Sequence, residues 1–209
     1  LTLNANVAAA GDDIFLVSTD GINQTGGTLS AANLTVTAVD GVTLTQTGNA
    51  VALLEATLSG TGDFAYTDTD GLTVGGIGAT TGVTTNAGNI LITAGAIAVN
   101  EAVTAGTAGD ITLTTTSTMG AGTLTLNANV AAAGDDIFLV SADGINQTGG
   151  TLSAANLTVT AVDGVTLTQT GNAVALLEAT LSGTGNFAYT DTDGLTVGGI
   201  GATTGVTTN

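Results

Sequence analysis

The chain has 209 residues and a formal charge of -17, because its 17 acidic residues meet no Lys, Arg or His. With no cation to neutralise phosphate, nucleic acid is excluded as a partner and an anionic membrane surface repels the chain. Cys, Pro and Trp are also absent, so stability must come from something other than disulfides.

No apolar run approaches the roughly 18 residues of a spanning helix, the longest being pieces such as AVALL. A membrane barrel would alternate as this chain does, but it would need aromatic girdles, and only four Phe and two Tyr occur. No membrane insertion is expected. No initiator Met or signal-type segment is present, so any targeting sequence is expected outside this window.

Residues 1–86 superimpose on residues 124–209 with two mismatches, Thr19 against Ala142 and Asp63 against Asn186. The unit is therefore 123 residues, with 1–123 as the first repeat and 124–209 as a second, truncated copy. The window reads as an excerpt of a longer array.

Within the unit, in chain order, a phrase of Asp or Asn followed by alternating apolar residues recurs. It appears as DIFLV (13–17), NLTVT (33–37), DFAYT (63–67), NILIT (89–93) and DITLT (110–114), and restarts as DIFLV at 136. Period-two alternation rich in Thr, Val, Ile and Leu predicts a strand with one buried face. A second strand follows in DGINQ (20–24), DGVTLT (40–45), DGLTV (70–74), AIAV (96–99) and TLTL (123–126). A third, less regular stretch appears in TLSAA (28–32), AVALLEATL (50–58) and LNANVAAA (126–133). Two or three short strands in each ~25 residues predict one coil of an all-β, parallel β-solenoid. About five coils make up each 123-residue unit. No segment carries a helical period of useful length.

A lone coil cannot fold. Its few inward side chains, such as Ile14, Leu16, Ile22 and Leu29 in the first, contribute roughly 1.5–3 kcal/mol each. Ordering ~25 residues costs on the order of 25–50 kcal/mol of backbone entropy. Stacking at about 4.8 Å per coil turns single residues into continuous ladders, with about eight coils expected in the window and an advance of roughly 24 Å per unit.

The chemistry is narrow. Without His, Cys, Lys or Arg, only carboxylates, hydroxyls and backbone remain, and no enzymatic role or catalytic residue is expected. The residues opening the phrases, Asp13, Asn33, Asp63, Asn89, Asp110, Asp136, Asn156 and Asn186, share a short side chain that bonds local backbone, and are expected to form one corner ladder. At a second corner, Asp20, Asp40 and Asp70 each precede Gly, with Asp68 near; Asp143, Asp163, Asp191 and Asp193 repeat them. Stacked on adjacent coils these carboxylates would either splay into water or hold a Ca²⁺ ion, the one candidate cofactor, although Asp-Gly is also an ordinary turn pair. Frequent Thr-x-Thr pairs raise an ice-binding face as another alternative. The outward positions of the first strand, read as Phe15, Thr35, Ala65, Leu91 and Thr112, break that array.

Phrases such as AGNILITAGAIAV (87–99), AGDITLTTTSTMGAGTLTLNANV (108–130) and AVDGVTLTQTG (38–48) resemble the repetitive shaft of bacterial filamentous haemagglutinin-like exoproteins and large autotransporter adhesins. The resemblance covers the whole window. It implies a very long right-handed β-helix, exported to the cell surface and serving in adhesion or biofilm, with no family catalytic residue to carry over. The absence of Lys and Arg departs from ordinary shafts and argues against acidic glycans as ligands. Expected partners are copies of the chain itself, stacked head-to-tail or laterally, and a host or neighbouring-cell surface bound through regions outside this window. A receptor site on the acidic corner or the Thr-rich face is the competing expectation.

Overall fold

The structure, a computed structural model, describes residues 1–78, 82–118, 120–201 and 205–209. Among the described residues there is no helix, and hence none long and apolar enough to cross a membrane. All strand pairings are parallel, and the strands stack into a β-solenoid of about 9 turns.

The alternation in the sequence dictates the packing. In Ile90–Ala94 the residues Ile90, Ile92 and Ala94 are buried while Leu91 is exposed. Stacking extends this pattern along the axis: Ile22, Val42, Phe64, Ile90, Ile111, Ile137, Leu157 and Leu177 lie one above the other, all buried. Backbone bonds join the turns, as in Ile22 N to Gly41 O at 2.9 Å, Val42 N to Asp63 O at 2.8 Å and Phe64 N to Asn89 O at 2.8 Å. Each coil thus supplies its neighbour with a partner for both faces of its hydrogen-bonding ladder, which a single coil lacks.

Most strands fall where the alternation predicts, Val83–Thr85 and Val103–Ala105 are strands the phrases did not mark, and one step of the register differs. Asn33 does not stack on Asp63; it pairs with Leu53, 20 residues later. The stretch Ala50–Leu58 therefore continues the column begun by Val7–Ser18 and Leu29–Ala38, with Leu53 where the earlier turns carry Asp13 and Asn33. Phe64–Thr67 stacks instead on Val42–Leu44. The early turns are short enough for a third apolar stretch to take a place in the phrase column, and that stretch lacks the Asp or Asn that makes the phrase visible.

A consequence is that the sequence unit and the coil do not close together. Five turns carry Ile22 to Ile137, which are 115 residues apart, so a 123-residue unit is five turns and eight residues more. Identical residues then occupy different faces. Ile14 stacks with Leu34 and Leu54, whereas its twin Ile137 lies between Ile111 and Leu157. Ile22 shares a column with Val42, whereas its twin Ile145 lies between Leu124 and Val165.

One excursion interrupts the coil. Leu53 and Leu54 pair with Thr73 and Val74, but Ala56, Thr57 and Leu58 pair with Val83, Thr84 and Thr85, so the ladder breaks opposite Glu55, with Gly75, Gly76, Ile77, Gly78 and Gly82 outside it. Gly75, at φ +95°, makes the departure in a backbone region closed to most side chains while its N–H still reaches Leu54 O at 2.8 Å.

Candidate functional site

The corners hold most of the acidic residues. Asp63 Oδ1 accepts the backbone N–H of Asn89 at 2.8 Å, Asn89 Oδ1 that of Asp110 at 2.8 Å, and Asp110 Oδ1 that of Asp136 at 3.1 Å; Asn156 Nδ2 donates to Asp136 Oδ1 at 2.6 Å. This corner ladder matches expectation from Asp63 to Asn156. Asp13 and Asn33 form a separate pair in another column, joined through Asn33 Nδ2 at 2.6 Å. Side-chain oxygens facing backbone N–H groups of the next turn cap the strand starts, which makes the ladder a stacking device.

The second acidic corner does not form as one stack. Asp20 and Asp40 lie on adjacent turns, with Asp40 N reaching Asp20 O at 3.4 Å, and Asp143 and Asp163 repeat this at 3.0 Å. Asp70 does not follow Asp40. It lies at a different corner, where its carbonyl accepts Gly95 N at 2.7 Å. The shift is the register step described above: Gly62 and Asp63, rather than Asp70, come next to Gly41.

Asp68 is buried, and three donors surround it. Its Oδ2 accepts Val51 N at 2.9 Å and the Tyr66 hydroxyl at 2.7 Å, and its Oδ1 accepts Asp70 N at 2.8 Å. Asp191 repeats the arrangement with Val174 N, Tyr189 Oη and Asp193 N at 3.1, 2.9 and 2.9 Å. Burial first, and the Asp68 charge and hydrogen bond after it, push the Tyr66 hydroxyl well above its ordinary pKa, so it remains a donor. The eight candidate calcium residues thus fall in pairs. No group of three or more acidic side chains placed to hold a metal ion occurs among the described residues. Asp68→Ala would strand the Val51 amide and the Tyr66 hydroxyl in the interior, and is expected to lower stability by about 2–4 kcal/mol in denaturant unfolding.

The Thr-rich surface is better ordered than the sequence suggests. Phe15 and Thr35 form one outward column, which ends at the buried Glu55; Ala65, Leu91, Thr112, Phe138 and Thr158 form another. Two residues further along the same strands, Thr67, Thr93, Thr114, Val140, Thr160 and Thr180 stack on successive turns. Leu91 and Phe138 stand in the column beside this ladder, so the face is not a flat hydroxyl array. A groove of about 380 Å³ runs past Leu72, Ile97 and Thr123, and a second of about 260 Å³ lies beside Asp63, Leu91 and Asp110.

Two buried polar clusters escaped the sequence reading. Asn49 and Gln24 form a closed amide pair in the interior, with Gln24 Nε2 to Asn49 Oδ1 at 2.8 Å and Asn49 Nδ2 to Gln24 Oε1 at 3.0 Å; Asn172 and Gln147 repeat it. Glu55, isolated in the apolar run AVALLEATL, is buried where the chain leaves the coil. A charge-bearing residue inside an apolar run was the available signal for the second. No protein-family model, no curated protein and no solved structure matches this chain.

Proposed function

We propose that this chain is a structural repeat of an extracellular bacterial filament or adhesin shaft, an acidic spacer or fibre serving cell-surface attachment or biofilm, with no enzymatic role. The observation that carries the reading is the mismatch between unit and coil. A site selected for binding would recur on one face, but a unit of five turns and eight residues places each copy of a motif on a different face. Near-identical copies that spiral around the axis still build length, and length is what a shaft contributes. A surface without Lys or Arg also offers trypsin-like proteases no cleavage point, and its single-sign charge opposes nonspecific association.

Self-association belongs to the same proposal. The parallel strands that pair from turn to turn along the axis would pair in the same way between copies stacked head to tail. Electron cryomicroscopy of material from the native source tests both parts. A layer line near 4.8 Å with an axial advance of roughly 26 Å per unit is expected, from a little over five turns. Filaments far longer than one chain mean a polymerising fibre, and rods of fixed length with a distinct tip mean an adhesin stalk. Compact, non-elongated particles would refute the shaft.

A further inference from the structure

Glu55 raises a charge problem that this chain cannot solve by ion pairing. Its side chain is 1% exposed, and the sequence holds no Lys, Arg or His to offer it. One carboxyl oxygen, Oε1, accepts Ile77 N at 2.8 Å; the other, Oε2, is buried without a donor. The carboxyl of Glu101 lies against it within hydrogen-bonding reach. Glu101 in turn uses Oε2 to accept Gly82 N at 3.0 Å, and its side chain passes so close to Gly75 that a Cβ there would lie 2.5 Å from Glu101 Cβ. Each carboxyl therefore holds one backbone N–H of this stretch, that of Ile77 or that of Gly82, and the two carboxyls meet each other.

Two carboxylates cannot satisfy this geometry, because neither has a proton to donate and the buried Glu55 carboxylate would face a second like charge on the partly exposed Glu101. A single proton resolves both difficulties. We propose that Glu55 and Glu101 share one proton, forming an acid–acid latch that fastens the Ile77 and Gly82 amides to the shaft and that loosens when the pair loses the proton. Glu55 donates to Glu101, the orphaned oxygen gains its partner, and the pair carries one charge instead of two. No other titratable group faces Glu55. The described part of the excursion, residues 75–78 and 82, contains only Gly and Ile, and the residue beside Glu55 on the preceding turn is Thr35.

Burial first, with the Glu101 charge and hydrogen bond adding to it, raises the Glu55 pKa above its ordinary value. A raised carboxyl pKa places the latch's contribution fully below the unfolded-state pKa and removes it as pH rises through the folded-state pKa. The Ile77 and Gly82 amides are thus held in acid and released towards neutral or alkaline pH. The second unit repeats the tether, with Glu178 Oε1 accepting Ile200 N at 2.8 Å.

The test is amide exchange on the intact chain, read as protection at Ile77 and Gly82 across pH. Protection in the unmodified protein is expected to fall roughly tenfold or more from about pH 5 to about pH 8. Glu55→Gln keeps an acceptor for Ile77 and supplies a permanent donor towards Glu101, so its protection should stay constant over the same range. Glu101→Gln serves as the second variant and should likewise remove the pH dependence. Two results would overturn the proposal: equal protection at both pH values in the unmodified chain, or restoration of protection at the higher pH by millimolar CaCl₂, which would assign the gap between the carboxyls to a cation.

Discussion

Replacing Asn49 with Ala is expected to destabilise the shaft by roughly 3–5 kcal/mol, a large effect for a side chain that is neither apolar nor catalytic. The reason is the number of groups that Asn49 satisfies at once. Its Oδ1 accepts Gln24 Nε2 at 2.8 Å and Leu29 N at 2.9 Å, while its Nδ2 donates to Gln24 Oε1 at 3.0 Å and faces Leu44 O and Thr67 O at 3.1 and 3.2 Å. These partners belong to three successive turns, so one amide ties the stack along its axis. Ala would leave the buried Gln24 amide and the Leu29 N–H without partners, and each such orphan costs about 1–3 kcal/mol. Asn49→Asp should be worse still, since a carboxylate would face two carbonyls where no cation is available. Asn172→Ala repeats the experiment in the second unit, where the corresponding bonds to Gln147 and Leu152 measure 2.8, 2.9 and 2.9 Å. A matching loss of urea midpoint in the two variants is expected, and a loss below about 1 kcal/mol at either position would contradict this account of the amide pair.

Phe64→Ala is expected to destabilise the shaft about as strongly. Phe64 is fully buried between Val42 and Ile90, and emptying that position should cost about 3–5 kcal/mol through lost transfer energy and the cavity left behind. Thermal or urea unfolding of the variant measures the loss directly, and a loss below about 1 kcal/mol would contradict this packing.

Most of the architecture was legible without coordinates because its signals are local. Alternation in DIFLV, NILIT and DITLT specifies which side chains face inward, and the Asp or Asn before each phrase marks a corner. The 123-residue repeat demands stacking, since no single coil can bury enough to fold. The acid pair at Glu55 was not legible. Its partner Glu101 is 46 residues away in the sequence and meets it only because Ala96–Val99 stacks on Gly71–Val74, itself stacked on Ala50–Leu58.

What the sequence determined by itself is the strand content, the parallel stacked solenoid and the absence of any cationic side chain, all of which follow from composition and short-range pattern. What only the tertiary structure decided is the register: that Asn33 pairs with Leu53, that Asp70 lies away from Asp40, and that identical units turn to different faces. Register depends on how many residues each turn consumes between corners. That number varies from 20 to 26 along the column from Ile22 to Ile137, so a phrase repeated in sequence need not be a phrase repeated in space.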